Sequence, residues 1–198
     1  MTTIRSAVRR ALSLVLRTTP RATLLVSLSL VATMLAAPSA EREPAPHFRA
    51  KTLSGETFDN QSVKGKVVLL QFWTTWCPYC RREQPLLDDV QKEMASKGLI
   101  VLAVNVAESK KTVRKYLAEY PRSCRVVLND DTNLPAMFES KGFPLYVVID
   151  RDGNIAARQN GAGGSAALYR LLSKAGLTSD DDDEQPSKPP KPVTTPIT

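Results

Sequence analysis

Between residues 44 and 177 the apolar positions follow two rhythms that alternate along the chain. Continuous apolar runs rich in β-branched residues, VVLLQFW at 67–73 and LIVLAVNV at 99–106, predict central parallel strands covered on both faces. Between them Leu86, Leu87, Val90 and Met94 recur at helical spacing, in a segment that begins near Cys80 and stops before Gly98. The result is a strand, helix, strand crossover. Residues 110–120 predict a helix with Val113, Tyr116 and Leu117 inward, residues 126–128 a short strand, and residues 134–139 one or two helical turns. YVVI at 146–149 and the apolar start of 155–158 flank Asp150-Arg151-Asp152-Gly153, and Asp-Gly between such runs signals a β-hairpin. A last helix, 165–174, carries Leu168, Leu171 and Leu172 on one face, and residues 48–53 with Phe58 form an earlier hairpin split at Ser54-Gly55. These elements predict an α/β domain: a mixed sheet with helices on both faces.

The two ends follow neither rhythm. Residues 1–40 hold five arginines and no acid, and their second half is an uncharged run, ATLLVSLSLVATMLAAPSA, over 22–40. That is the form of a signal peptide, or of a signal anchor if it is not cut. It implies export to the bacterial periplasm or the extracytoplasmic face of the membrane. An organellar transit peptide is the second reading of the same start. Residues 178–198 include the acidic run 180–184 and five prolines and almost nothing apolar, so they are expected to form a disordered tail.

The chain has 198 residues and 42% hydrophobic composition, enough for one buried core. The net charge of +7 falls to +2 once the first 40 residues are set aside, which removes most of the case for a nucleic-acid partner. Three cysteines are too few for a scaffold stapled by many disulfides. A zinc site needs a second ligand pair, and the chain offers only His47 and the single thiol Cys124. No metal and no other cofactor is expected beyond a redox-active disulfide.

Cys77 follows directly on the central strand, at the start of a helix, where unpaired N–H groups and the helix dipole favour a thiolate. Cys80 lies one turn on, on the same side. The spacing lets Cys77 attack a disulfide and Cys80 resolve the mixed intermediate. Pro78 suits the first helical turn because its missing N–H costs nothing there. The alternative is a pair of buried apolar cysteines that happen to stand three apart.

The wider context favours chemistry. The stretch Phe72-Trp73-Thr74-Thr75-Trp76-Cys77-Pro78-Tyr79-Cys80-Arg81-Arg82-Glu83-Gln84-Pro85 resembles the F-W-x-x-W-C-x-x-C-x-x-E-x-P signature of the TlpA/ResA-like branch of the thioredoxin superfamily. Gly142-Phe143-Pro144, followed by a strand and Asp150-Arg151-Asp152-Gly153, resembles the second motif of that branch. The resemblance covers roughly residues 44–176. It implies a thioredoxin fold with an N-terminal hairpin and an extra segment between the central strand and the cis-proline strand. It also implies that Pro144 is cis and, with Phe143, Trp76, Pro78 and Tyr79, shapes the site and meets the partner. Gln71 stands where thioredoxins proper carry a buried acid, and an amide cannot move protons. Glu83 matches a glutamate that modulates the site in relatives, which makes Cys77, Cys80 and Glu83 the candidate catalytic residues; the competing reading of Glu83 is a surface carboxylate paired with an arginine. Trp73 is expected in the core and Trp76 beside the sulfurs. Leu145 replaces a common Thr, Pro85 is expected to kink the helix, and Cys124 is either a second redox partner or a lone structural thiol.

The function that follows is an extracytoplasmic thiol-disulfide oxidoreductase acting as a reductase. Its expected partners are protein thiols and disulfides and an upstream redox donor, with a membrane tether through the N-terminus and a monomeric state. Relatives serve cytochrome c maturation, metal-centre assembly or general disulfide reduction. One rival is a thiol peroxidase, whose P-x-x-x-T-x-x-C signature requires proline where Leu70 stands. Another is a metal-centre assembly chaperone of the same fold, which lacks a suitable histidine here.

Overall fold

The computed structural model describes residues 42–178. The targeting segment over 1–40 and the tail from 179 onward lie outside the described residues. The described chain runs β1 (Arg49–Thr52), β2 (Thr57–Asp59), β3 (Val67–Trp73), α1 (Pro78–Met94), β4 (Leu99–Asn105), α2 (Lys110–Glu119), β5 (Arg125–Thr132), α3 (Leu134–Met137), β6 (Leu145–Ile149), β7 (Ile155–Asn160) and α4 (Gly164–Ser173). The strands form one mixed sheet in the order β2-β1-β5-β4-β3-β6-β7.

β3 lies at the centre and sets the position of the site. It runs parallel to β4, from Val67 opposite Leu99 to Trp73 opposite Asn105, and antiparallel to β6, with Phe72 opposite Leu145 and Val68 opposite Ile149. Every residue of β3 is buried, so the uninterrupted apolar run is the run of a strand covered on both sides. Val67, Leu69 and Trp73 pack on one face with Leu87, Val90 and Met94 of α1, Val113 and Tyr116 of α2, and Leu168 and Leu172 of α4. Val68, Leu70 and Phe72 face the other way, against Phe48, Leu134 and Phe138. Helices therefore lie on both faces but unequally: three on one side and the single turn of α3 on the other.

One boundary differs by several residues from the sequence reading. β5 continues past residue 128 to Thr132, because its polar end pairs antiparallel with the short β1, where Ala50 lies opposite Thr132. Pairing of this kind leaves no apolar signature. α1 runs on through Pro85 to Met94 as one helix.

Residues 42–45 are fastened to the β6–β7 turn. Arg42 Nη1 lies 2.8 Å from Asp150 Oδ2, Ala45 N–H donates to Gly153 O at 2.9 Å, and Ile155 N–H donates to Glu43 O at 2.7 Å. No helix among the described residues is long and apolar enough to cross a membrane.

Candidate redox-active site

The chain leaves β3 at Trp73 and turns through Thr74 and Thr75 into α1. Cys77 caps that helix: its backbone is extended (φ −76°, ψ 111°), and its Sγ accepts the Cys80 N–H at 3.1 Å. Pro78 follows at the first helical position, where no N–H is missed. A sulfur in this place faces the unpaired N–H groups of the first turn, which stabilise negative charge. Cys77 and Cys80 are joined by a disulfide, with their Cα atoms 5.3 Å apart.

The two cysteines are only 3% and 2% exposed, whereas the residues interleaved with them stand out, Trp76 at 64% and Tyr79 at 54%. Trp76 meets Phe143 edge-on at a centroid distance of 6.0 Å, and the Phe143–Pro144 peptide is cis. The β3–β6 register explains why these distant segments meet. Leu145, the residue after Pro144, lies opposite Phe72, so Pro144 falls at the end of the sheet where β3 turns into the cysteine pair. Trp73 is in the core, as its place in the apolar run predicts. A groove beside the pair is lined by Tyr79, Arg82, Leu86, Phe143, Gly163 and Gly164.

Glu83 is 2% exposed, which overturns its reading as a surface carboxylate paired with an arginine. Burying a carboxylate costs several kcal/mol unless its oxygens are hydrogen-bonded (~2–7 kcal/mol for even a neutral polar group). Here both are. Oε1 accepts the backbone N–H groups of Gly163 and Gly164 at 2.7 and 2.6 Å, and Oε2 accepts the Tyr146 hydroxyl at 2.5 Å. Position 163 has no room for a side chain: a Cβ there would lie 2.5 Å from that of Ala167. Gln71, fully buried, donates from Nε2 to the Tyr146 oxygen at 3.2 Å and accepts from Arg122 Nη2 at 2.7 Å. Arg122 in turn lies over the Trp73 ring, 4.9 Å from its centroid.

A second carboxylate braces the approach to Cys77. Glu108, before α2, accepts the Thr75 N–H at 2.7 Å, the Thr75 hydroxyl at 2.5 Å and Asn105 Nδ2 at 2.6 Å. Arg81 Nε donates to Thr75 O at 2.6 Å from the other side. Cys124 is not part of the disulfide. It is buried, its N–H and that of Ser123 donate to Asp88 Oδ1, and burial pushes its thiol up to about 11.

The sequence-predicted residues Cys77, Cys80, Pro144 and Glu83 gather at this end of the sheet, and the structure adds Tyr146, Arg122, Glu108 and the 163–164 backbone around them, none of which the sequence pattern singles out. Tyr146 was hidden inside an apolar strand. The available signal was a polar group in each of two apolar strands, Gln71 and Tyr146, which the register places directly opposite each other.

Comparison with known proteins agrees with this geometry. Residues 40–171 match the Redoxin family. The chain is 40% identical over 118 residues to the thioredoxin-like protein YneN of Bacillus subtilis, covering 58% of this chain and 68% of that one. It is 31% identical over 141 residues to the thiol-disulfide oxidoreductase ResA of Bacillus subtilis, covering 70% and 79% respectively. Among solved structures, a thiol:disulfide interchange protein of the thioredoxin family from Chlorobium tepidum superposes with a TM-score of 0.59 at 30% identity, over 69% of this chain and 98% of that one. A thioredoxin-like sheet, a helix-capping disulfide and these kinships together make the chain a member of the Redoxin family and a thiol-disulfide oxidoreductase of the TlpA/ResA-like branch of the thioredoxin superfamily.

Proposed function

We propose that this enzyme works outside the cytoplasm as a monomeric reductase of protein disulfides, with no cofactor beyond its own cysteine pair. The observation that carries the reading is the setting of Cys77, which caps α1 and is flanked by exposed Trp76 and Tyr79 and by the cis Phe143–Pro144 peptide. In the reduced protein the Cys77 thiolate attacks one sulfur of a partner disulfide. A mixed disulfide forms, and the other partner sulfur leaves with its electron pair. Cys80 then loses its proton to Glu83, one turn along the same helix, and attacks Cys77 Sγ. The Cys77–Cys80 bond forms, the second partner thiolate leaves, and two electrons have passed to the partner. An upstream thiol donor restores the dithiol. Trp76, Tyr79, Pro78, Phe143 and Pro144 form the surface on which the partner segment lies.

Thiol trapping tests this reading. Equilibration of the purified protein at graded redox potentials is expected to interconvert the dithiol and the disulfide, and Cys80→Ser is expected to accumulate mixed disulfides through Cys77. A pair that never interconverts, or a Cys80→Ser protein that traps nothing, rejects it.

A further inference from the structure

The partners of Glu83 form a chain whose direction is fixed at one end. A guanidinium can only donate, so Arg122 Nη2, 2.7 Å from Gln71 Oε1, determines which end of that amide faces it. The Gln71 NH2 group is therefore turned toward Tyr146, whose oxygen it meets at 3.2 Å. A phenol has one proton, and with Gln71 donating to its oxygen that proton goes to Glu83 Oε2. The sheet holds the two middle links, because Gln71 and Tyr146 are register partners in β3 and β6. Burial, with the bond to Glu83 second, pushes the Tyr146 ionisation far above the ordinary phenol range, so the hydroxyl stays a donor.

We infer that Tyr146, oriented by Gln71 and Arg122, is a positioning residue for the resolution step: it holds in place the Glu83 carboxylate that takes the Cys80 proton. The inference rests on the proton-accepting role proposed for Glu83. Its physical basis is that donors to a carboxylate favour the charged, proton-accepting form. Tyr146 of β6 bonds Glu83 directly, Tyr79 and Arg82 of its own helix line the same groove, Cys80 stands one turn before it, and Arg122 acts at one remove through Gln71. The 163–164 loop contributes backbone N–H groups. Gln71 thus orients the proton acceptor from the place where thioredoxins proper carry one.

Stopped-flow mixing of the reduced full-length protein with an aromatic disulfide separates the two steps. A bimolecular release of aromatic thiolate reports attack by Cys77, and a concentration-independent second release reports attack by Cys80 on the mixed disulfide. In Tyr146→Phe the acid limb of the second phase is expected to move up by about one pH unit, a tenfold slower release on that flank, with the first phase unchanged. Arg122→Gln is expected to move the limb the same way by less, and it decides the question where Tyr146→Phe does not fold. Glu83→Gln is expected to abolish the limb. A Tyr146→Phe limb that coincides with wild type, while Glu83→Gln has lost its own, overturns the role of Tyr146 and spares that of Glu83. A wild-type limb in Glu83→Gln overturns both. Equal shifts in the two phases mark a structural disturbance and overturn the positioning role.

Discussion

Cys124 shows what burial does to a thiol. Its pKa is pushed to about 11 by burial, against about 8.5–9 for a free thiol, so the folded protein keeps the proton over a window in which the unfolded chain releases it. Where the unfolded state holds fewer protons, stability falls as pH rises. Cys124 is therefore expected to cost about 2–3 kcal/mol between roughly pH 9 and pH 11. Denaturant melts at pH 8 and pH 10.5 should show that loss in the wild type and a smaller one in Cys124→Ala. The same burial predicts that iodoacetamide labels no cysteine of the oxidised native protein at pH 8 and labels Cys124 on unfolding. At this scale the sequence was informative wherever a residue type is rare and its spacing meaningful, as with Cys77, Cys80 and Pro144. It was silent on Tyr146, because a buried tyrosine in an apolar strand is ordinary core until the facing residue on the next strand is known to be Gln71.

Two crossovers, β3–α1–β4 and β4–α2–β5, deliver their connecting turns to the same end of the sheet, and Glu108 joins them. Its carboxylate accepts three hydrogen bonds from Thr75 and Asn105, so the turn that carries Cys77 is held from the neighbouring turn. Glu108→Ala leaves those donors without their acceptor and is expected to destabilise the protein by about 2–3 kcal/mol, measured by denaturant unfolding. Element boundaries were legible where periodicity is strong, as in β3, β4 and the Leu-rich α4. They failed in β5, whose polar half is a strand only because β1 pairs with it, and no local pattern encodes a partner from 75 residues away. The brace from Glu108 was hidden for the same reason, since an isolated acid before a helix reads as a solvated residue.

Charge is unevenly distributed over the whole chain. Residues 42–178 hold 20 basic and 14 acidic side chains, residues 1–40 add five arginines, and residues 179–198 hold five acids against two lysines. The acid-free start is the basis of the export proposal. A β-lactamase fused after Thr198 is expected to confer ampicillin resistance on a bacterial host, and deletion of residues 2–40 is expected to abolish it; resistance that survives the deletion rejects the targeting role. The fastening of residues 42–45 has a geometric meaning for such a chain. Ile149 and the β6–β7 turn lie at the opposite pole of β6 from Pro144, because β6 runs antiparallel to β3. The described chain therefore begins at the pole of the domain remote from its sulfurs.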